Sequence, residues 1–393
     1  MRTSLGTRAV RLATAAAICL SATGFVLLAS TSTASAAQPD PHDLAIHRVN
    51  TSSGLISGLD SAMPKKSVSD VVASANRTGT ACTAPVSHRA ASFCWQSGDS
   101  SVKYWVPQGV TSSSDASALS TFDGQPVLLS AWYDNGSNGS SRGVRVSFID
   151  MSSTTTPKYR HVLLVEPTGT SSAPSYKPVI AHAGGLAWYG NQLYVCNSSS
   201  GMRVFDMRHI LATNNSTDGA IGRQSDGSYA GLGYGFVMPQ VAKYQPSVTG
   251  GEAAMQFSQV AVDRTSIPNS LVVSEWDPEG TGTRMIRFDV DLDGTASPDS
   301  DGIARADWAY VTDFRSMQGA TAINGVYYVQ RSNGDTAKGG MIKWRPGATP
   351  DINDGTLPIG PEDVTYWRGK DQLWSQTEYL GKRYVYASTV SAW

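Results

Sequence analysis

The hydrophobic positions of this chain fall in short runs that are separated by turns rich in glycine and asparagine. A run such as Val127-Leu128-Leu129-Ser130 is followed by a polar stretch such as Asn135-Gly136-Ser137-Asn138-Gly139. Short apolar runs between such turns are typical of β-strands and hairpins. Helical spacing occurs only in two stretches, Ser67–Ala75 and Asp206–Ala212. The pattern therefore predicts an all-β protein with few helices.

A loose five-residue unit recurs five times along the chain. Its copies are Pro107–Thr111, His182–Leu186, Phe257–Ala261, Met317–Thr321 and Pro361–Thr365. Each copy precedes an apolar strand: Val127–Ser130, Leu193–Cys196, Leu271–Ser274, Tyr327–Gln330 and Leu373–Gln376. A polar turn and a third strand follow: Val144–Ile149, Met202–Phe205, Met285–Asp289, Met341–Trp344 and Tyr384–Tyr386. Repeated supersecondary units of this kind indicate a stacked repeat architecture.

Strand, strand, turn and strand, repeated five times, favour a β-propeller with five blades. Fourth strands are less regular, with candidates at Tyr159–Val165, Tyr234–Tyr244 and Asp307–Phe314. A sixth blade would require a degenerate unit in Ala220–Ser247. The alternative is a β-sandwich, which accommodates five matched units less readily because it has only two sheets.

The ends of the chain are expected to close the ring by sharing one blade. Ser101–Val106 is predicted to be the outer strand of the blade that Val364–Val390 begins. Such sharing removes the seam that an open ring would expose. On this interpretation the propeller domain spans residues 101–393. Residues 37–100 form an N-terminal arm or cap.

The first 36 residues have the pattern of a secretory signal peptide. Three arginines (Arg2, Arg8 and Arg11) precede a mostly apolar stretch, and Ala34-Ser35-Ala36 is a small-residue cleavage site. Polar residues interrupt the apolar stretch, which favours cleavage over a retained anchor helix. We therefore expect the mature protein to be secreted and extracellular.

The cysteines fit an exported protein. Cys82 and Cys94 lie close together in sequence and are predicted to form a disulfide bond in an oxidising compartment. This bond would lie within the N-terminal arm. Cys196 falls in a strand pattern, where we expect a buried thiol rather than a reactive one.

Net charge argues against nucleic acid as a partner. The chain has a formal charge of −1, and loss of the three signal-peptide arginines leaves −4. Nucleic-acid binding calls for a basic face. No later apolar run is long enough to span a bilayer, so we expect no membrane span after cleavage.

The repeat predicts which polar side chains converge at the central channel. In a propeller, the first strand of each blade lines this channel. The expected ring consists of Gln108, His182, Ser258, Gln259, Gln318, Glu362 and Asp363. Convergent polar groups in a concave site suit a glycan or protein ligand. The alternative is that these side chains only hold ordered water.

Two residues of this ring suggest catalysis as a second hypothesis. His182 can serve as a general acid or base, and Glu362 belongs to the acidic pair of the ring. Adjacent residues on a strand point to opposite faces, so Asp363 cannot be the partner carboxylate of Glu362. A second carboxylate would have to come from the ends of the second strands, at Glu275, Asp277 or Asp134. The alternative function is a secreted carbohydrate-active hydrolase or lyase.

Two further segments suggest ligand binding. Asp289, Asp291 and Asp293, followed by Gly294, resemble the start of a calcium loop, but Ser300 stands where a closing glutamate belongs. The alternative is a strand that runs into an Asp-Gly turn. Gly231-Leu232-Gly233-Tyr234-Gly235 resembles a phosphate loop, but no strand–helix unit surrounds it, so it is interpreted as a flexible loop.

The units Pro361–Thr365 and Pro107–Thr111 resemble the blade-opening motif of NHL-repeat and gluconolactonase-like propellers. The resemblance extends from Ser101 to the C-terminus, and the export signal and composition also resemble those of secreted actinobacterial proteins. The resemblance to gluconolactonase-like propellers implies a divalent metal held in the channel by Glu, Asn and Asp. Glu362 matches the glutamate and Asn197 lies in a comparable second strand, but no aspartate matches. The spacing of Asp289, Asp291 and Asp293 and this resemblance together suggest calcium or another divalent metal as a cofactor. The unmatched aspartate counts against the metal-dependent hydrolase.

Overall fold

The computed structural model describes residues 37–139 and 141–393. The predicted signal peptide lies outside the described residues. Strands dominate the fold, as the alternation predicts. The helices are short: α1 (Ser53–Ala62), α2 (Val68–Ala73), α3 (Ser97–Ser101) and α4 (Ser113–Ala116), with 3₁₀ turns at Pro41–Asp43, Met207–His209, Arg368–Lys370 and Val390–Ala392.

Ten strands precede the second repeat unit. They are β1 (Leu44–Asn50), β2 (Lys65–Lys66), β3 (Arg77–Thr78), β4 (Thr80–Ala81), β5 (Arg89–Cys94), β6 (Trp105–Ser112), β7 (Val127–Asp134), β8 (Val144–Asp150), β9 (Lys158–Thr170) and β10 (Ala173–Pro178). Seven belong to the second unit and the connection after it: β11 (Leu186–Tyr189), β12 (Gln192–Cys196), β13 (Met202–Asp206), β14 (Ile210–Ala212), β15 (Ile221–Arg223), β16 (Tyr229–Gly231) and β17 (Phe236–Val248).

The remaining strands belong to the last three units. They are β18 (Gln259–Asp263), β19 (Ser270–Ser274), β20 (Arg284–Asp289), β21 (Ala304–Arg305), β22 (Trp308–Val311), β23 (Met317–Ile323), β24 (Val326–Asn333), β25 (Ala337–Trp344), β26 (Asp351–Asn353), β27 (Pro361–Trp367), β28 (Gln372–Thr377) and β29 (Tyr384–Thr389). The candidate helix at Ser67–Ala75 is confirmed as α2. The stretch Asp206–Ala212 forms a 3₁₀ turn followed by β14.

The strands pair in antiparallel groups of four. In order from first to fourth strand, the groups are β6-β7-β8-β9, β11-β12-β13-β17, β18-β19-β20-β22, β23-β24-β25-β26 and β27-β28-β29-β5. The register of each pair follows the repeat, with Leu129 opposite Phe148 and Val273 opposite Ile286. A short parallel pairing between β9 and β17 joins the first two groups along their outer strands.

The first strands of the groups, β6, β11, β18, β23 and β27, are called the inner strands below. They approach one another closely enough that a side chain would not fit at certain glycines. A Cβ atom on Gly109 would lie 2.8 Å from the carbonyl carbon of Gly185, and one on Gly319 would lie 2.8 Å from Cα of Asp363. Gly109 N–H also donates to the carbonyl of Ala183 at 3.1 Å. The glycines of the repeat unit therefore permit close packing of neighbouring inner strands.

Hydrophobic clusters lie between neighbouring groups all the way round. Leu129 and Val195 pack between the first and second groups, and Tyr194 and Val260 between the second and third. Val272 and Val329 belong to the cluster between the third and fourth groups, Tyr328 and Leu373 to the next, and Trp132 and Trp374 to the cluster that joins the fifth group to the first. Groups that stack in a closed ring in this way form a β-propeller.

Asp363 bonds the inner strands to one another. Its carboxylate is fully buried, and Oδ2 accepts the N–H of Val110 on β6 at 3.0 Å and that of Leu186 on β11 at 2.9 Å. Oδ1 accepts the N–H of Val364. Burial raises the pKa of Asp363 well above its usual range, and the three N–H donors oppose this effect.

A second buried carboxylate lies near the opposite end of the same inner strands. Asp115 accepts hydrogen bonds from the hydroxyls of Thr111 on β6 and Thr365 on β27. Its backbone carbonyl accepts from Arg264, which belongs to the connection after β18. Burial raises the pKa of Asp115 to about 6. Contacts at this end thus also join residues from several groups.

The N-terminal segment pairs with strands of three groups. β3 pairs with β9 of the first group. β5 pairs with β29, with Phe93 opposite Val385, so a strand of the N-terminal segment and the C-terminal strand share the fifth group. The prediction that Ser101–Val106 supplies this strand is wrong, because Trp105 and Val106 begin inner strand β6. β1 pairs along β17 of the second group.

The predicted disulfide bond is confirmed. Cys82 is bonded to Cys94 at the end of β5, with a Cα–Cα distance of 5.7 Å. Cys196 is a free, buried thiol, and burial raises its pKa well above the usual value. Segment Ala220–Ser247 contributes hairpin β15–β16 and strand β17 rather than a further group of four. Among residues 37–139 and 141–393, no helix combines the length and apolarity needed to cross a membrane.

Replacing Asp363 by alanine is expected to destabilise the protein by about 3 kcal/mol, because it leaves the N–H groups of Val110 and Leu186 buried without acceptors. Urea unfolding followed by tryptophan fluorescence measures the change in free energy. The matched control is Asp351→Ala, at an exposed position on β26. Equal stability of the two variants would contradict a bonding role for Asp363.

Candidate functional site

A cavity of about 360 Å³ lies where the inner strands begin. Six of the seven side chains predicted from the repeat line it, and Asp363 is the exception. The lining residues are Gln108, His182, Gly184, Ser198, Gln256, Ser258, Gln259, Trp276, Gln318, Glu362, Glu378 and Tyr379. The cavity thus draws polar groups from all five repeat units.

Two carboxyl groups meet at one side of this cavity. Glu362, the second residue of β27, is 2% exposed, and Glu378 follows the end of β28. The two carboxyl groups lie within hydrogen-bonding reach of each other, and each affects the pKa of the other. Gln108 Nε2 donates to Oε2 of Glu378 at 3.1 Å. A hydrogen bond between two carboxyl groups requires a proton on one of them.

The pKa values indicate which group holds this proton. Burial raises the pKa of Glu362 well above its usual range, and the nearby charge of Glu378 raises it further. The pKa of Glu378 is also raised by burial, but hydrogen bonds from Tyr379 and Gln108 oppose the shift. Of the two, Glu362 therefore holds the shared proton more tightly, and Glu378 is the more readily ionised member.

Glu378 is a cavity residue that the repeat pattern does not identify. It lies at the end of a second strand, β28, where a second carboxylate is expected, but in the fifth repeat unit. The named candidates serve elsewhere: Glu275 Oε1 lies 2.6 Å from Arg284 Nη2, and Asp134 accepts the N–H groups of its own loop. Asp277 accepts the N–H groups of its own turn.

His182 lies at the mouth of the cavity. Its ring centroid is 4.5 Å from that of Tyr133, and partial burial lowers its pKa. The imidazole is therefore neutral at pH 7 and can accept one proton. Gly184 and Gly185, which follow His182, make room for the backbone of Ser258 and Gln259 at the start of the neighbouring inner strand.

The amide and hydroxyl side chains of the cavity differ in how many hydrogen bonds they make within the protein. Gln259 is satisfied within the protein, because its Nε2 donates to Met317 O at 3.0 Å and its Oε1 accepts from Ser274. Ser258 Oγ accepts the N–H of Trp276. Within the described residues, the amide side chains of Gln256 and Gln318 make no hydrogen bond to protein. These two amides are therefore free to bind a ligand.

Aromatic side chains complete the wall. Trp276 is 38% exposed and follows the second strand of the third group. Its indole is the larger aromatic surface of the cavity, and Tyr379 lies beside the carboxyl pair. By contrast, Trp132, Trp188 and Trp367 are buried in the clusters between groups.

Asp363 lies outside the cavity. Glu362 and Asp363 point in different directions, as expected of neighbours on a strand. Glu362 faces the cavity, whereas Asp363 bonds to the backbone of β6 and β11. The structure thus gives Asp363 a role in joining strands, and Asp363 does not line the cavity.

The residues proposed for calcium are engaged in local turns. Asp293 accepts the N–H of Thr295 at 2.8 Å, and Asp291 accepts the hydroxyl of Ser297 at 2.6 Å. Asp289, at the end of β20, has its pKa raised by partial burial. Over residues 37–139 and 141–393, no group of three or more His, Cys, Asp or Glu side chains is arranged to hold a metal ion.

The metal implied by the gluconolactonase resemblance also does not fit. Glu362 lines the cavity, but Asn197 lines a separate depression beside Arg203 and Gln240.

No family model matches the chain, and no curated protein sequence matches it. Among solved structures, a gluconolactonase from Xanthomonas campestris is similar at 15% identity and a TM-score of 0.35, covering 80% of this chain and 88% of that one. The β-propeller domain of Cps50 (Swd1) from Myceliophteria thermophila is similar at 8% identity and a TM-score of 0.37, covering 74% and 98%.

A third solved structure, a GH43_1 enzyme from Xanthomonas citri, is similar at 12% identity and a TM-score of 0.35, covering 85% of this chain and 92% of that one. Such low scores do not establish a relationship. The propeller architecture described above depends on strand pairing and interstrand contacts alone.

Replacing Glu378 by glutamine is expected to lower the pKa of Glu362, because the negative charge that opposes its ionisation is removed. The pKa should remain above its ordinary value, since burial is unchanged. Carbon-13 NMR titration of the carboxyl groups measures it, with the Glu362 signal assigned by its loss in Glu362→Gln. Glu166→Gln, on outer strand β9, is the control and should leave Glu362 unaffected. An unchanged pKa in Glu378→Gln would show that the two carboxyls do not interact.

Proposed function

We propose that the protein is an exported five-bladed β-propeller that binds a glycan in the cavity at the start of its inner strands. Five groups of four strands, with a hydrophobic cluster between each neighbouring pair, support the blade count. The signal-peptide pattern and the Cys82–Cys94 disulfide support export, since such bonds persist in oxidising compartments.

The ligand assignment depends on one observation. Two amide side chains that make no hydrogen bond to the described protein lie in the same cavity as an exposed indole. Gln256 and Gln318 each offer a donor and an acceptor, which is the pairing that a sugar hydroxyl requires. Trp276 offers an aromatic face against which the apolar face of a sugar ring can stack. The cavity volume of about 360 Å³ falls in the range of small-molecule sites.

The charge state of the cavity also suits a neutral ligand. Glu362 is protonated and can donate a hydrogen bond, and His182 is neutral. When Glu378 is ionised, its charge is already engaged by the hydrogen bond from Gln108. An uncharged polyhydroxylated ligand pays no charge-repulsion penalty here, whereas an anionic one would face Glu378.

Replacing Gln318 or Trp276 by alanine is expected to weaken glycan binding at least tenfold, because each removes a direct contact. Binding is measured by isothermal titration calorimetry against a panel of neutral plant and microbial oligosaccharides. Gln245→Ala, at an exposed position on β17, is the matched control. Absence of binding to the whole panel would contradict the glycan proposal and leave an extracellular protein as the ligand to test.

One observation favours a second function, a carbohydrate-active hydrolase or lyase. A protonated acid, Glu362, and a neutral base, His182, line the same cavity. Glu362 and Glu378 lie in hydrogen-bond contact, which is closer than the roughly 5 Å or more that separates the two carboxyls of glycosidases. In this hypothesis the acid is therefore Glu362 and the base is His182, without Glu378 as nucleophile.

If this second function holds, Glu362→Gln and His182→Ala are each expected to reduce turnover of polysaccharides by about 100-fold or more, because each removes a proton-transfer group. Release of reducing ends or of unsaturated products measures turnover. Gln245→Ala again serves as control. Turnover that survives in both variants would contradict catalysis by this pair, and the binding function would not be affected.

A further inference from the structure

A second cavity, of about 550 Å³, shares no lining residue with the first. It lies between the N-terminal segment, the outer strands of the first group and the glycine-rich loop at residues 231–235. Its polar and charged lining residues include Arg77, Asp99, Arg142, Arg145, Arg160 and Asp218. Tyr104, Trp105 and Tyr234 form aromatic walls.

Arginines outnumber acids in this cavity. Arg145 Nη2 and Arg77 Nε lie 2.9 and 3.1 Å from the carboxylate of Asp99, which therefore serves two cations. Arg142 pairs with Asp218 at 3.1 Å near the rim. With Arg160 included, four positive and two negative side chains line the cavity, a local excess of two positive charges.

His161 does not add to the excess of positive charge in this cavity. It is buried beside Asp99, with its Nε2 3.2 Å from both carboxylate oxygens. Burial and the charge of Arg145 lower the pKa of His161 to about 3, so the ring is neutral at physiological pH. The pKa of Asp99 is held far below its usual range by hydrogen bonds and by these cations, so it stays ionised.

Arg160 has no acidic partner among the described residues. Its Nη1 makes one long hydrogen bond, 3.4 Å, to the carbonyl of Ser74, and its guanidinium lies 5.3 Å from the ring centre of Phe236. Partial burial and the charge of Arg77 lower its pKa. In addition, Nε of the buried Arg145 has no hydrogen-bond partner within the described part of the chain. Among the described residues, the cavity thus contains one guanidinium without an acidic partner, that of Arg160, and one buried N–H donor without an acceptor, Nε of Arg145.

The glycine-rich loop brings backbone close to these arginines. A Cβ atom on Gly235 would lie 2.6 Å from Nη2 of Arg160. Gly233 has a φ of +82°, which glycine adopts without strain. The hydroxyl of Tyr234 accepts from Arg145 Nη1 at 3.3 Å. The segment interpreted as a flexible loop therefore forms one wall of the arginine-lined cavity.

We propose that this cavity binds a phosphate or sulfate group. An excess of two positive charges matches an oxyanion that carries nearly two negative charges at neutral pH. Guanidinium groups present parallel N–H donors to such oxygens. The volume exceeds that of a bare ion, and the aromatic walls offer contact to an attached organic group, so a phosphate or sulfate ester fits as well as the free anion.

The test is calorimetric titration of the purified protein with inorganic phosphate, sulfate, glucose 6-phosphate and glucose, at constant ionic strength set by chloride. Saturable binding of phosphate, sulfate or the phosphate ester is expected, and it should be weakened by Arg160→Gln, whereas any binding of glucose, which the first cavity can account for, should be unchanged in that variant. Tighter binding of glucose 6-phosphate than of inorganic phosphate would identify an ester as the ligand, and equal binding would identify the anion alone. Either result supports the proposal.

Arg160→Gln is expected to weaken this binding at least tenfold. The change leaves no buried carboxylate unpaired, because Arg160 has no acidic partner. Arg315→Gln removes an exposed arginine from another part of the molecule and is the matched control. Gly235→Ala is a second variant, since its methyl group should displace the guanidinium of Arg160 without backbone strain.

Binding of equal strength in wild-type protein, Arg160→Gln and Gly235→Ala would overturn the proposal, as would the absence of saturable binding of all three anions. Thermal melting gives a second readout. Phosphate and sulfate stabilise many proteins by exclusion from their surfaces, so a rise in Tm counts in favour only if it is smaller in Arg160→Gln than in Arg315→Gln. Equal rises in Tm would count against.

Discussion

The fold depends on contact between inner strands that are far apart in sequence, and Asp363 makes that contact explicit. One buried carboxylate accepts N–H groups from β6 and β11 while belonging to β27, so strands of three groups are bonded to one side chain. Buried N–H groups must be paired, and glycines such as Gly109 let the strands come close enough for this pairing. If the inner strands moved apart, the cavity above them would lose its shape.

The same closure explains why the first cavity has its particular chemistry. Each repeat unit places at least one polar residue at the cavity, and the ring brings these residues together although they lie up to about 250 positions apart, as Gln108 and Glu362 do. Bringing two carboxyl groups into a shared, partly dry space then forces one of them to keep its proton. The protonated Glu362 is thus a consequence of ring closure and burial rather than of any local motif.

Much of this arrangement could be predicted from sequence because it is periodic. The repeat unit located the inner strands, and their common position identified six of the cavity side chains. Glu378 was missed because it belongs to a turn after β28, where hairpin geometry decides its direction. The partner of β29 was assigned to Ser101–Val106 instead of Arg89–Cys94, since pairing between distant segments leaves no local signal. The calcium interpretation of Asp289, Asp291 and Asp293 relied on spacing alone, and turns use the same spacing for hydrogen bonds to the backbone.

The two cavities differ in charge, and Arg383, which precedes β29, lies between them. Its Nε donates to the carbonyl of Glu378, beside the first cavity. Its Nη1 donates to the carbonyls of Asp99 and Val102, beside the second. Burial, together with the charge of Arg145, lowers its pKa to about 10, so it remains a cation at neutral pH. Its hydrogen bonds hold the backbone that carries the charged member of the carboxyl pair and the backbone that carries the acid of the arginine cluster. The junction between the fifth group and the first, which closes the ring, therefore also fixes the acidic residues of both sites.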